Sequence, residues 1–115
     1  MNQKYEITDI VHPQYPWLHR IRALRDVRED VHAGDLGGFV QSEENLSQEG
    51  QCWVANNAVA AEESYISGDA IMWDYSCARG CAVISGKSRI GGEAIIEDYA
   101  IVTFGYVHGN VHISG

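Results

Sequence analysis

An aliphatic residue returns every six positions through the second half of this chain, and a small residue follows each one four places later. A six-residue period fits neither the α-helix, with about 3.6 residues per turn, nor the simple alternation of a strand. The chain is therefore built from short units that each contain a strand and a bend. The aliphatic series is Ile66, Met72, Ala78, Ile84, Ile90, Ile96 and Val102, and the small series is Ala70, Ser76, Ala82, Ser88, Ala94 and Ala100.

The geometry of the unit follows when its six slots are counted from the aliphatic residue. Slots five, six and one are consecutive, so a strand there points its side chains in, out and in. Slots two to four form the bend, where glycine is favoured because it tolerates positive φ. Three units make one triangular coil of 18 residues, and stacked coils bury both series. The pattern predicts an all-β parallel β-helix; an antiparallel meander is the alternative, but meanders keep no six-residue phase.

The N-terminal part of the chain does not share the repeat. Residues 1–35 contain two strand-like segments, "KYEITDIV" and "HRIRALRDV", separated by "HPQYPW", whose two prolines should turn the chain. We expect residues 1–35 to form a β-hairpin-like cap on a β-helix of residues 36–115. Within the helix, residues 36–47 should form an irregular first coil and residues 48–115 the regular coils, all in one compact domain.

The repeat resembles the hexapeptide-repeat superfamily, whose fold is a left-handed β-helix. The left hand is implied by this resemblance, since most crossovers between parallel strands are right-handed. The segments "RALRDV", "AGDLGGFVQSEENLS" and "CWVANNAVA" are also similar to YdcK-like short phage, prophage and bacterial proteins of unknown function. The superfamily includes acyltransferases that use coenzyme A or acyl carrier protein and carry a catalytic histidine at a groove between subunits. Acyl transfer is therefore one alternative function.

The histidines and cysteines do not form a recognisable catalytic or metal site. No histidine lies on an insertion, because the six-residue phase is expected to run unbroken from Gln48 onward. His108 and His112 fall in slots one and five of the last coil and should point inward, but no third ligand accompanies them. The odd number of cysteines does not suggest a disulfide framework. We predict no catalytic, cofactor-binding or metal-binding residues and no cofactor.

The charge of the chain restricts its partners. Sixteen acidic residues against eight basic ones give a net charge of −8, which does not favour binding to a phosphate backbone. An acidic mimic of nucleic acid remains an alternative function. The sequence shows neither an apolar run long enough to span a membrane nor a signal peptide, so we expect a cytoplasmic protein with no membrane partner.

The outward slots carry the most information about function. Residues 18 apart should stack on one flat face, and all but Arg89 are apolar or aromatic. Strand propensity explains part of this pattern, while large exposed apolar patches mark contacts with other proteins. The predicted rows are Trp53, Ile71, Arg89 and Val107; Val59, Cys77, Ile95 and Ile113; and Tyr65, Val83 and Ile101. With Trp73 in slot two, we predict an interaction surface formed by Trp53, Ile71, Trp73, Tyr65, Val83 and Ile101.

These features favour a non-enzymatic protein-interaction module over an enzyme. Given the resemblance to phage proteins, the partner is expected to be a host protein, for example a component of a defence system that the chain inhibits. We also expect a homo-oligomer, a dimer or trimer, formed at the last coil. The residues predicted for self-association are Val107, His108, His112 and Ile113, with Val107 and Ile113 pointing outward.

Overall fold

The structure, a computed structural model, describes residues 3–115. Those residues form β-strands joined by bends, with one turn of 3-10 helix at Glu43–Asn45. The strands are β1 (Tyr5–Val11), β2 (His19–Ala23), β3 (Leu36–Val40), β4 (Trp53–Val54), β5 (Val59–Ala60), β6 (Tyr65–Ile66), β7 (Ile71–Met72), β8 (Cys77–Ala78), β9 (Val83–Ile90), β10 (Ile95–Glu97), β11 (Ile101–Val107) and β12 (His112–Ser114).

The short strands stack in parallel with the register that the six-residue period predicts. Trp53 pairs with Ile71, and Ile71 pairs with Arg89, so neighbours in the stack lie 18 positions apart. Tyr65 pairs with Val83 at the same spacing. The stacked coils form a β-helix of about four turns, which confirms the predicted fold.

The β-helix has three flat faces. The first contains β4, β7 and the second halves of β9 and β11. The second contains β3, β5, β8, β10 and β12. The third contains β6 and the first halves of β9 and β11, because these two longer strands run around a corner of the coil.

The bends explain the glycines of the repeat. Every slot-three residue from position 50 to position 98 has positive φ, including Gly50, Gly68, Gly80, Gly86 and Gly92. The four slot-three positions without glycine adopt the same conformation, with φ between 55° and 61°, although side chains disfavour it. The coil therefore imposes this turn, and glycine is the residue that adopts it most easily. The four residues are Asn56, Glu62, Asp74 and Asp98.

The core is formed by the two inward series. Ile66, Ile84, Ile90 and Ile96 are fully buried, and the small residues fill the corners between them. The serines of the small series are buried but satisfied, since each hydroxyl donates to a carbonyl of the next coil. Ser88 Oγ, for example, donates to Val102 O at 3.1 Å.

A buried asparagine joins the segment around the 3-10 turn to the next coil. Asn45 Nδ2 donates to Ser64 O at 2.9 Å and Glu62 O at 3.0 Å, while its Oδ1 accepts from the amides of Gln41 and Ser42. The side chain thus satisfies backbone groups on both sides of the bend, where the chain lacks a regular strand.

The N-terminal segment forms a hairpin, as predicted, and adds its strands to the second face. Strands β1 and β2 are antiparallel, β2 pairs antiparallel with β3, and β3 pairs in parallel with β5. Gly37 and Gly38 allow β3 to approach the coil, because a Cβ at these positions would lie 2.6 Å from Val54 O and 2.5 Å from Ala58 O. The division into units 1–35 and 36–115 stays a prediction.

From Gln48 onward the six-residue phase breaks once, and here the sequence expectation is wrong. Val102 pairs with Ile84 at a spacing of 18, but Tyr106 pairs with Arg89 at a spacing of 17. The bend between these pairs is one residue shorter than the bend at Gly86 in the coil below it. All later residues therefore move by one slot, which reverses the side on which several of them lie.

Candidate interaction surfaces

Trp53 does not belong to an exposed surface, although it occupies an outward slot of the first face. It is only 1% exposed, because the N-terminal segment lies over it. Tyr5 contacts the indole edge-on with ring centroids 6.4 Å apart, and a Cβ on Gly37 would lie 2.8 Å from the indole. The prediction that Trp53 is available to a partner is therefore wrong.

The other two predicted residues of the first face remain partly accessible. Ile71 and Trp73 are half-buried beside the loop that contains Asp30 and Asp35. The indole of Trp73 lies flat over Gly91, where a Cβ would come within 2.3 Å of the ring. Glycine in slot two of that coil thus makes room for the indole.

Trp73 belongs to a cluster of three nearly parallel rings, which we call the ring cluster: Trp73, Tyr106 and His108. The centroids of Trp73 and Tyr106 are 5.8 Å apart, and those of Tyr106 and His108 are 5.6 Å apart. Tyr106 and His108 are exposed. Such stacked rings present a rigid, amphipathic surface at low entropic cost.

Two basic residues flank the ring cluster on the first face. Arg89 pairs with Tyr106 across β9 and β11, and Lys87 pairs with Phe104. Both basic residues are exposed, and the ion pairs of the described residues involve neither of them. Unpaired cations beside exposed aromatic rings are therefore concentrated at this corner of an otherwise acidic chain.

The third face is open, and here the sequence prediction of outward side chains holds. Tyr65, Val83 and Ile101 form one outward row, and the N-terminal strands belong to a different sheet. Tyr65 is 41% exposed and Ile101 is 69% exposed, whereas Val83 between them is half-buried. Whether this row binds a partner stays a prediction.

The four residues predicted for self-association point in the directions opposite to those expected. The two apolar residues point inward and the two histidines point outward. Val107 pairs with Ile90 and Ile113 with Ile96, so both enter the aliphatic slot and pack against the core. His108 and His112 are exposed rather than inward. The one-residue deletion causes all four changes, because it moves each side chain by one slot.

His112 lies in a polar cluster with Arg79 and Glu97 at the surface of the second face. Its Nε2 contacts Glu97 Oε2, and Arg79 Nε donates to the other carboxylate oxygen at 2.7 Å. Hydrogen bonds from Arg79 and then His112 lower the pKa of Glu97 below its usual range. This cluster was missed in the sequence because His112 was placed in an inward slot.

The sequence prediction also missed the most exposed aromatic residues of the last coil. Phe104 is 81% exposed and Tyr99 is 74% exposed, and both lie at corners in slot four. A signal was present: Gly109 falls in slot three, where glycine recurs, only if one residue is missing after Val102. With that deletion Phe104 moves to the exposed corner and Tyr106 to the outward slot.

Comparison with known proteins agrees with the architecture. No model of a protein family matches the chain. An alignment over 86 residues, which covers 72% of the chain, shows 37% identity to the Escherichia coli K12 protein named Uncharacterized acetyltransferase YdcK. The chain is related to the hexapeptide-repeat β-helix superfamily. This relationship confirms the resemblance inferred from the repeat, although the chain spans only about a fifth of the length of this relative.

Enzymes use cysteine thiolates, bound metal ions and histidine bases, and the described residues differ in how well they provide each of these. Burial raises the pKa of the half-buried Cys77 thiol, which disfavours the reactive thiolate. Among residues 3–115, no group of three or more His, Cys, Asp or Glu side chains is arranged to hold a metal ion. His112 is the histidine held against a carboxylate within hydrogen-bonding distance.

Among residues 3–115, no helix has the length and apolar character needed to cross a membrane.

Proposed function

We propose that the chain is a protein-interaction module that binds its partner through the exposed apolar residues of the last coil. We call this set the last-coil surface. One observation carries the proposal: four large side chains within residues 99–106 are between 64% and 81% exposed. They are Tyr99, Ile101, Phe104 and Tyr106.

Exposed aromatic side chains at this density are typical of binding sites. Tyrosine and phenylalanine are enriched at protein interfaces, where they bury large areas on association. The four side chains follow the coil from Tyr99 across the third face and around the Phe104 corner to the first face. A partner must contact both sides of that corner to reach the roughly 800 Å² per partner of a specific interface. Strands β11 and β12 also lie at the ends of their sheets, so their backbone groups are accessible to a partner.

The charges at this surface support a partner with an acidic rim. Lys87 and Arg89 border the last-coil surface, whereas the whole chain has a net charge of −8. A second copy of the chain supplies such acidic groups, which makes self-association the first case to test. Repulsion between two acidic chains is screened beyond about 8 Å at physiological ionic strength.

The experiment compares two substitutions at slot-four corners. Phe104→Glu places a charge in the last-coil surface, while Tyr75→Glu places one at a different corner with similar exposure. We expect light scattering at micromolar concentration to show a dimer or trimer for the native chain and for Tyr75→Glu, and a monomer for Phe104→Glu. A native chain that is monomeric throughout, or an oligomer disrupted only by Tyr75→Glu, contradicts self-association through this surface.

A host protein as partner is the finer form of the same proposal. It is supported by the resemblance to short phage and prophage proteins, and inhibition of a defence component is one form that such binding takes. A protein retained from host lysate by the native chain and by Tyr75→Glu, but not by Phe104→Glu, would support it. Equal retention by all three chains contradicts binding through the last-coil surface.

Acyl transfer is the second candidate, because a relative is named an acetyltransferase. In this case His112 is the candidate base, since Glu97 orients its ring and Arg79 holds Glu97 in place. Release of free thiol from acetyl-coenzyme A, lost in His112→Ala, would favour this function. The interaction module predicts no release, together with a partner affinity that His112→Ala leaves unchanged.

A further inference from the structure

Lys4 and Cys52 form a buried pair that neither proposed function uses. Both residues are 0% exposed, and Lys4 Nζ lies 3.1 Å from Cys52 Sγ. The same nitrogen donates to Cys52 O at 2.8 Å and to Glu49 O at 3.2 Å. The amine of the residue just before β1 is thus held directly against a thiol of the first regular coil.

This environment is unusual for a lysine. Buried lysines are normally paired with a carboxylate, but the acceptors here are two backbone carbonyls and a sulfur atom. Burial lowers the pKa of Lys4, which favours the neutral amine and its lone pair. The hydrogen bonds to the two carbonyls restrict the side chain, so that nitrogen and sulfur remain adjacent.

We propose that Lys4 and Cys52 are a site of oxidative modification, at which peroxide joins them by a covalent N–O–S bridge. One peroxide converts the thiol to sulfenic acid and releases one water molecule. A second peroxide removes one hydrogen from the sulfenic oxygen and one from the amine as the N–O bond forms, releasing two more water molecules. Sulfur and nitrogen each lose two electrons, both peroxides are reduced, and the bridging nitrogen retains one hydrogen.

The bridge would fasten the N-terminal strand to the first regular coil. Lys4 and Cys52 are 48 positions apart, so the bond closes a long loop in the unfolded chain. By the loop-entropy argument used for disulfides, the melting temperature of the oxidised chain should rise by about 10 °C. A thiol reductant should cleave the S–O bond and reverse the rise.

Mass spectrometry of the native chain after hydrogen peroxide treatment tests the proposal. We expect a gain of one oxygen atom with loss of two hydrogen atoms, about 14 Da, on a single peptide that joins the Lys4 and Cys52 segments. The cross-link should form in the Cys77→Ser/Cys81→Ser double variant, which retains the pair. Lys4→Arg and Cys52→Ser should lack it.

The native chain alone is sufficient to overturn the proposal, even if a substitution at the buried pair prevents folding. Gain of two or three oxygen atoms at Cys52, with an unmodified Lys4 peptide, would show that the thiol oxidises without its neighbour. A free Cys52 thiol under conditions that fully oxidise Cys77 and Cys81 would show that the pair is inert.

Discussion

Trp53 and Tyr106 occupy the same outward slot of the first face and are separated by three steps of the coil stack. Trp53 is nevertheless covered, and Tyr106 is exposed to solvent. Trp53 is 1% exposed beneath the N-terminal segment, whereas Tyr106 is 64% exposed. The period of the repeat determines in which direction each side chain points. Whether that side chain meets solvent depends on what else lies over the face, which the period does not describe.

The N-terminal segment is fixed over its end of the β-helix by polar contacts as well as by packing. Gln48 Oε1 accepts from the amides of Lys4 and Tyr5 and so replaces part of a neighbouring strand. Tyr5 Oη donates to Leu46 O at 2.6 Å. At the last coil, β11 and β12 lie at the ends of their sheets, and the aromatic side chains beside them are exposed.

The largest effect on stability is expected from a charge placed in the core between the two ends of the β-helix. Ile84 is fully buried, and Ile84→Asp places an unpaired charge there at a cost of several kcal/mol, about the whole stability of a small domain. We expect cooperative unfolding to disappear, as followed by circular dichroism during heating. A native-like melting curve would contradict the position of Ile84 in the inward series.

The second prediction compares the two residues of the shared slot directly. Trp53→Ala should lower the free energy of unfolding by about 3–5 kcal/mol, because it leaves a cavity beneath the N-terminal segment. Tyr106→Ala should cost less than about 1.5 kcal/mol, the value of an aromatic stack. Urea denaturation measures both. Equal losses in the two variants would mean that Tyr106 is also covered, which would remove the last-coil surface.

This contrast shows which parts of the structure the sequence could predict. The spacing of apolar and small residues gave the coil, the register and the buried series, because stacking requires each coil to repeat the one below it. Burial of Trp53 was not predictable, since it depends on the path of a non-repeating segment. The left hand of the coil stays a prediction from the resemblance, because slots and period are the same for either hand.

The last coil shows a different kind of failure. The assumption of an unbroken phase placed His108 and His112 inside and Val107 and Ile113 outside, and a single missing residue reversed all four. Such a break is difficult to detect when few repeat units follow it, because few residues then show the new phase. Gly109 was the informative residue, since a bend requires positive φ there and its φ is 86°.

The third prediction tests the polar contacts that hold the N-terminal segment over its end of the β-helix. Tyr5→Phe removes the hydrogen bond to Leu46 O and leaves a buried carbonyl without its donor, which should cost about 1–3 kcal/mol of unfolding free energy.

Burial also raises the pKa of Tyr5 well above its ordinary value. At a pH above about 10 the unfolded chain releases this proton and the folded chain keeps it, so stability falls as the pH rises. Thermal melts between neutral and alkaline pH should show a steeper loss for the native chain than for Tyr5→Phe.

The smallest effect on stability is expected for the polar cluster of Arg79, Glu97 and His112 near the last coil. Because Arg79 and His112 lower the pKa of Glu97, its contribution to stability is present above its unfolded value of 4.5 and is lost as the pH falls through the folded value. Glu97→Gln should therefore make the melting temperature change less as the pH is lowered into the acid range.

Glu93→Gln is the matched control, since Glu93 is exposed and is absent from the ion pairs of the described residues. The effect should be small because solvent screens this cluster, and 1 M salt should weaken it further. A loss in Glu97→Gln as large as that in Tyr5→Phe would mean that the last coil, like the first, is held together by its polar contacts.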